Sequence, residues 1–184
     1  MCGIVGITST KEVTSRIIGS LKKLEYRGYD SAGIATISEN NINEVKCEGR
    51  VNELEKNVNQ IKLSGTIGIG HVRWATHGKP STINAHPHSS DNVSVVHNGI
   101  IENSTILKKI LEKKGYKFKS QTDTEVIVHL VTDYLKKNNL KDTIIKVLKK
   151  LHGSFALGII FKDQPDLIIG ARRGSPLAVG YGPD

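Results

Sequence analysis

Cysteine is scarce in this chain: Cys2 and Cys47 are the only two among 184 residues. Two thiols make no disulfide framework, and two isolated cysteines make a poor zinc site. The useful question is whether one of them is reactive. Aromatic residues are few as well, at 5%, with Trp74 the single tryptophan. No stretch approaches the roughly 20 apolar residues of a membrane span. The first residues, Met1 to Ile7, lack the basic start and long apolar segment of a signal peptide. These absences predict a cytoplasmic protein without membrane contact.

What is present describes one ordinary domain with a real core, 38% hydrophobic and 24% charged. A net charge of +8 raises nucleic acid as a partner. The lysines, however, fall in pairs on helix-like segments, Lys108-Lys109, Lys113-Lys114, Lys136-Lys137 and Lys149-Lys150, where they read as solvated faces and helix ends. No RNP-like or helix-turn-helix pattern accompanies them, so no nucleic-acid function is expected.

The periodicity predicts a strand over 3–8, a helix over about 11–25 with Ile17, Ile18, Leu21 and Leu24 on one face, and strands over 33–38 and 43–48. A short amphipathic helix follows, marked by Val51, Leu54, Val58 and Ile61. A strand over 66–74 carries glycines where a neighbour comes close. A polar loop rich in His, Pro, Ser and Asn covers 75–92, and a strand over 93–97 ends at Asn98-Gly99. Helices are expected over 104–114, closed by Gly115, over a segment opened by the capping-box pattern Thr122-Asp123-Thr124-Glu125 and running to about 137, and over 140–151. Strands are expected at 154–162, 166–172 and 176–180. Without regular strand–helix alternation or a G-x-G-x-x-G loop, the order argues for antiparallel sheets with helices packed outside, an α+β fold. The final strand-like runs leave edges without partners, and the chain is expected to be incomplete at its C-terminus.

Cys2 sits where removal of Met1 would create a nucleophile and a base on one residue. An α-amine has a pKa near about 7.7–8.0, against roughly 8.5 for a thiol. It can take the thiol proton directly or through a water. The bland alternative is a small apolar side chain in an edge strand.

Four further segments decide between these readings. They are Tyr26-Arg27-Gly28-Tyr29-Asp30-Ser31-Ala32-Gly33, Gly70-His71-Val72-Arg73-Trp74-Ala75-Thr76-His77-Gly78, His97-Asn98-Gly99-Ile100-Ile101-Glu102-Asn103, and Thr122-Asp123-Thr124-Glu125. With Cys2-Gly3-Ile4-Val5-Gly6 they resemble, in order and over essentially the whole chain, the class II, N-terminal-nucleophile glutamine amidotransferases. Asn84-Ala85-His86-Pro87-His88 strengthens the likeness to the branch that passes ammonia to fructose 6-phosphate to make glucosamine 6-phosphate. A relative with a phosphoribosyl acceptor shares the Cys-Gly start, and a non-catalytic domain remains open if Met1 is retained.

The resemblance implies an N-terminal-nucleophile hydrolase fold, a four-layer α/β/β/α sandwich, with residues 1–184 forming an incomplete glutaminase domain. The sugar-phosphate isomerase domains that bind fructose 6-phosphate would lie outside it, and the full-length form would be a homo-oligomer. It implies L-glutamine as substrate, no cofactor and no metal. Cys2 would be the nucleophile, and Asn98 and Gly99 the oxyanion hole, although Asn-Gly is also a favoured hairpin turn. Arg73 would bind the α-carboxylate of glutamine by its planar fork, and Asp123 the α-ammonium. Trp74, Thr76, His77 and Gly78 would belong to a loop closing over the substrate. Arg27 would orient the catalytic end or pair with Asp30, and Gly28 would allow a tight turn. His86, His97 and the other histidines His71, His77 and His88 would hydrogen-bond within loops around the site, and Cys47 would be structural.

Overall fold

In the computed structural model, which describes residues 2–75 and 78–182, the first part of the chain builds one sheet and the second part another. The first part contains β1 (Gly3–Thr8), α1 (Thr14–Leu24), a 3-10 turn (Glu25–Arg27), β2 (Ser31–Ser38), β3 (Asn41–Glu48), α2 (Val51–Ile61) and β4 (Ile67–Arg73). The second contains β5 (His88–Ser89), β6 (Val93–Ile101), α3 (Ser104–Lys113), α4 (Glu125–Leu135), α5 (Leu140–Lys150), β7 (Gly153–Phe161) and β8 (Gln164–Arg173). The sheets run β1-β4-β2-β3 and β5-β6-β7-β8, with every pairing antiparallel.

Alternation along the strands sets the layers. On β4, Ile67 and Ile69 point into a core between the two sheets, where they meet Ala35, Ile37, Val96 and Ile160. Gly68 and Gly70 point the other way, under α1. A Cβ on Gly70 would lie 2.6 Å from Ile17 Cγ2, so only glycine admits the helix this close. Ile17, Leu21, Leu54 and Val58 pack α1 and α2 on the outer face of the first sheet. Leu107, Leu111, Ile127, Val131 and Val147 pack α3, α4 and α5 on the outer face of the second, against Val95, Phe155 and Leu157. The α+β sandwich read from the sequence is thus the architecture found, helix layer, sheet, sheet, helix layer. Cys47 is buried in the α2 side of this core, as expected.

Three local expectations are corrected. β6 does not end at Asn98-Gly99. It continues to Ile101, because Asn98 and Gly99 are held in register opposite Ala156 and Phe155 of β7 rather than in a turn. Thr122-Asp123-Thr124-Glu125 is not a capping box: α4 begins only at Glu125, with no side-chain cap bond. Residues 176–180 form no strand. Gly174, at φ 75°, turns the chain after β8, and Pro176 has no N–H to give a ladder.

Candidate active site

Three strand ends converge on Cys2. The register that sets Gly3 opposite Val72 places Cys2 beside the last residues of β4, and Ser31, at the start of β2, lies opposite Arg73. The thiol rests on the backbone of Trp74, whose N–H lies 3.3 Å from Sγ and whose carbonyl lies 3.5 Å away. From the facing sheet, Asn98 Nδ2 donates to the Cys2 carbonyl at 2.9 Å. Arg27 Nε donates to the same carbonyl at 3.2 Å. The backbone of the cysteine is therefore gripped from the facing sheet and from the 3-10 turn, while the residue stays partly exposed. Burial pushes the thiol pKa up from its ordinary 9.0, against the opposing pull of the Trp74 N–H and the Arg73 charge.

Arg27 thus reaches the catalytic end through the Cys2 carbonyl. Gly28 is needed for a different reason from the one expected. Its N–H closes the tight 3-10 turn on Glu25 O at 3.0 Å, but its own backbone is extended, φ 179°, a conformation any residue adopts. A Cβ there would sit 2.5 Å from the carbonyl carbon of Arg73 and 2.7 Å from Trp74 N, so the glycine lets two backbones touch behind the thiol. Asp30, to which the sequence assigned no role of its own, accepts a short hydrogen bond from Ala75 N and so fixes the chain just past Trp74. Trp74 is not a core residue. It is 48% exposed and packs in a T-shaped arrangement with the Tyr29 ring. Thr76 and His77 lie outside the described residues.

Arg73 is buried, and its guanidinium donates to the carbonyls of Gly78 at 3.1 Å and Lys79 at 3.4 Å. Burial lowers its pKa, while the negative charges of Asp30 and Asp123 act the other way. Asp123 thus lies within electrostatic reach of Arg73, although its carboxylate accepts from Ile101 N at 2.7 Å, joining the end of β6 rather than capping α4. Gly99 follows Asn98 at φ 131°, left-handed backbone where a Cβ would meet Ser154 O at 2.1 Å. Asn98 Oδ1 is buried without a hydrogen-bond partner in this structure.

The segment carrying Asp123 has its own anchors, which sequence reasoning missed. Glu125 accepts from Lys119 N, Ser120 N and Ser120 Oγ at 2.9, 2.7 and 2.7 Å. Asn84 holds Gln121 through Gln121 N and Oε1. The signal was present in the sequence, since a carboxylate three residues after a threonine at a helix start was read as a cap. Only the tertiary path of 119–122 redirects it.

His86 and His97 do not touch Cys2. They lie behind Asn98, each against the hydroxyl of Thr124, His86 Nε2 at 2.7 Å and His97 Nδ1 at 2.8 Å. His71 stacks on His86 with ring centroids 4.3 Å apart, and His88 meets His86 edge-on at 4.7 Å while contacting Thr122 Oγ1. The histidines therefore form an interior cluster rather than loop contacts. Burial holds all four below their ordinary range, His71 and His88 to about 3 and His97 to about 4. At neutral pH they are uncharged. Two surface depressions, one beside Glu39 and Pro165 and one beside Lys114 and Lys146, lie away from Cys2. The site is defined by its chemistry and not by the depth of a cleft.

Residues 72–181 match the glutamine amidotransferase domain family. The whole chain is 54% identical over 186 residues to a glutamine–fructose-6-phosphate aminotransferase (isomerizing) of Clostridium acetobutylicum. It is 55% identical over 184 residues to one of Mesorhizobium japonicum, covering 99% of this chain. In both comparisons it spans 30% of the relative's length. The fold aligns with glutamine phosphoribosylpyrophosphate amidotransferase from B. subtilis at a TM-score of 0.75 and 32% identity, over 88% of this chain and 35% of that one. A glutamine aminotransferase class-II domain protein from Silicibacter pomeroyi shares the fold at a TM-score of 0.64 and 14% identity, over 96% of this chain and 78% of that one. With the thiol of Cys2 lodged between β1 and β4 and the carboxamide of Asn98 on its carbonyl, these matches converge on one conclusion: the chain belongs to the glutamine amidotransferase domain family.

Proposed function

We propose that this domain, once Met1 is removed, hydrolyses the side-chain amide of L-glutamine to glutamate and ammonia through a thioester on Cys2. The observation that carries the reading is the grip on Cys2: a carbonyl held by Asn98 Nδ2 and Arg27 Nε, with the thiol left on the Trp74 backbone. The free α-amine takes the thiol proton, and Sγ attacks the amide carbon of glutamine. The carbonyl electrons move onto oxygen. Asn98 Nδ2 and Gly99 N–H receive that oxyanion, and two preorganised donors of this kind are each worth about 2.7–4 kcal/mol of barrier. Collapse breaks the C–N bond, the protonated amine supplies the leaving nitrogen with its proton, and ammonia departs. Water then attacks the γ-glutamyl thioester, and the amine accepts its proton, releasing glutamate and the thiol.

Arg73 and Asp123 are the two ends of a zwitterion clamp, the guanidinium for the α-carboxylate and the carboxylate for the α-ammonium. Their mutual electrostatic reach supports this pairing. Trp74, Thr76 and His77 form the covering loop of the proposal. Its ammonia acceptor is fructose 6-phosphate, bound by isomerase domains beyond this glutaminase domain, and the whole assembly is a soluble cytoplasmic homo-oligomer. The identity of 54% to a fructose-6-phosphate aminotransferase, against 32% to the phosphoribosylpyrophosphate enzyme, favours that acceptor.

The test is intact mass before and after incubation with 6-diazo-5-oxonorleucine, with peptide mapping. Loss of Met1 followed by a single adduct on Cys2 is expected. A processed, folded chain that stays unlabelled rejects the reading in favour of a non-catalytic domain.

A further inference from the structure

One buried group is left without work by this mechanism: His71, on β4, fully buried, with Nδ1 unpartnered. Its Nε2 lies 3.0 Å from the carbonyl oxygen of His97, the residue before Asn98. A carbonyl only accepts, so Nε2 carries the proton. The carbonyl needs this partner. Ser90 N–H donates to Val93 O, which puts the carbonyls of Val93, Val95 and His97 on the β5 side of β6 by strand alternation. The short β5 pairs only with Ser94 and Val95. Past its end the His97 carbonyl would, among the described residues, be a buried acceptor without a donor, which is costly. The His71 imidazole takes the place of the absent strand.

The ring is itself immobilised. It stacks on His86, and His86 and His97 share the Thr124 hydroxyl. Resting on the amidotransferase reading, we propose that His71 is the positioning residue of the oxyanion site, its Nε2–H holding the His97–Asn98 backbone so that the carboxamide of Asn98 and the N–H of Gly99 keep their aim at the Cys2 position. β4 thereby carries Arg73 and Trp74 on one end and, two residues earlier, the tie that aligns the facing strand with them.

The experiment uses the full chain with Cys2 at its N-terminus and measures glutaminase kinetics. Because His71 acts through Asn98, His71→Ala should lower kcat about 10–100-fold, below the 10²–10³-fold expected for losing a donor outright, with KM for glutamine little changed. His71→Gln, whose amide nitrogen can stand where Nε2 stands, should restore most of kcat. His71→Asn, whose shorter amide stands where Nδ1 stands, should not. In an Asn98→Ala background His71→Ala should add little. Unchanged kcat, a loss confined to KM, equal rescue by Gln and Asn, or additive losses each overturn the role. Nitrogen-15 NMR of the histidine rings gives a readout that needs no turnover. A protonated Nε2 is expected for His71, and a protonated Nδ1 overturns the tie even in an active enzyme. A wild-type chain that neither turns over glutamine nor labels at Cys2 rejects the amidotransferase reading itself, and this role with it, whatever the tautomer.

Discussion

Glu125 offers the sharpest test of how the Asp123 segment is held. Its side chain is almost fully buried and accepts three hydrogen bonds from residues 119 and 120, with the His129 ring 3.5 Å away. Burial alone would raise the carboxyl pKa. The His129 side chain, the N–H of Lys119 and the hydroxyl and N–H of Ser120 outweigh it and bring the group from 4.5 to about 2. A depressed carboxyl stabilises the fold above its unfolded value, and the contribution disappears as pH falls through the folded one. The window is therefore from about 4.5 down to about 2. At roughly 1.36 kcal/mol per pH unit of difference, the ionised group contributes about 3 kcal/mol at neutral pH. Glu125→Gln leaves one acceptor where two oxygens served three donors, and turns an N–H₂ toward them. Urea unfolding of both proteins should show the variant about 2–3 kcal/mol less stable at pH 7, with the gap closing near pH 2–3. Taking the difference between the two proteins cancels all other titrations. Because residues 119–122 lead directly into Asp123, KM for glutamine should rise in the variant while kcat changes less. A gap below about 0.5 kcal/mol at pH 7, or one that stays constant down to pH 2.5, would refute the argument.

The buried histidines set a second pH dependence in the opposite half of the acid range. The unfolded chain binds a proton at each near 6.5, whereas folded His71 and His88 wait until about 3 and His97 until about 4. Between those values the unfolded state holds more protons, so stability should fall on acidification by about 1.4 kcal/mol per pH unit for each histidine that stays neutral. A urea midpoint that stays flat from pH 7 to 5 would contradict the burial of this cluster. Gly28→Ala puts a Cβ 2.5 Å from the Arg73 carbonyl carbon and should slow Cys2 labelling at least about 10-fold while costing about 1–3 kcal/mol. Gly19→Ala, with nothing within 4 Å, is the matched control and should leave labelling unchanged and add about 0.5–1 kcal/mol of helix stability; equal labelling rates in the two variants would remove the close approach from the explanation.

Periodicity carried the layers into view because it reports which face is apolar. Ile17, Ile18 and Leu21 at helical spacing and Ile67 and Ile69 at strand spacing are buried where the pattern put them. It failed where polar residues have two uses. Asn98-Gly99 suits a turn locally, and only β7, about sixty residues later in the chain, supplies the partners that keep it extended. Asp123 and Glu125 suit a cap locally, and only the end of β6 and the path of 119–120 supply the donors that claim them. The candidate site was legible through Cys2, Arg73, Asn98 and Asp123, each brought to one end of the sandwich. His86 and His97 sit in a different setting from the one expected, in the interior against Thr124. Histidines in a polar sequence read as loop residues, and their stacking depends on two strands and a helix that no local pattern relates. His71 and Asp30 act through backbone atoms of distant residues, His97 and Ala75, which leave no trace in spacing.

The same interior constrains the chemistry of Cys2. Burial raises the pKa of its thiol, which disfavours the thiolate, so attack requires a base within reach. The four clustered histidines do not supply it. Burial makes all four weak bases, and their hydrogen bonds run to Thr124, Thr122 and the His97 carbonyl rather than to Sγ. Asp30 accepts from Ala75 N and Ser31 Oγ. The contacts of Sγ are both to the Trp74 backbone, an N–H and a carbonyl, and neither takes a proton at physiological pH. The base of the proposed mechanism is the nitrogen of Cys2 itself. While Met1 is attached it is an amide without basicity, and once Met1 is gone it is an amine whose pKa, near about 7.7–8.0, suits the transfer. Among the described residues the bonds that grip Cys2 run through its carbonyl and thiol, and on the proposal above removal of Met1 is the step that turns this positioned thiol into a competent nucleophile.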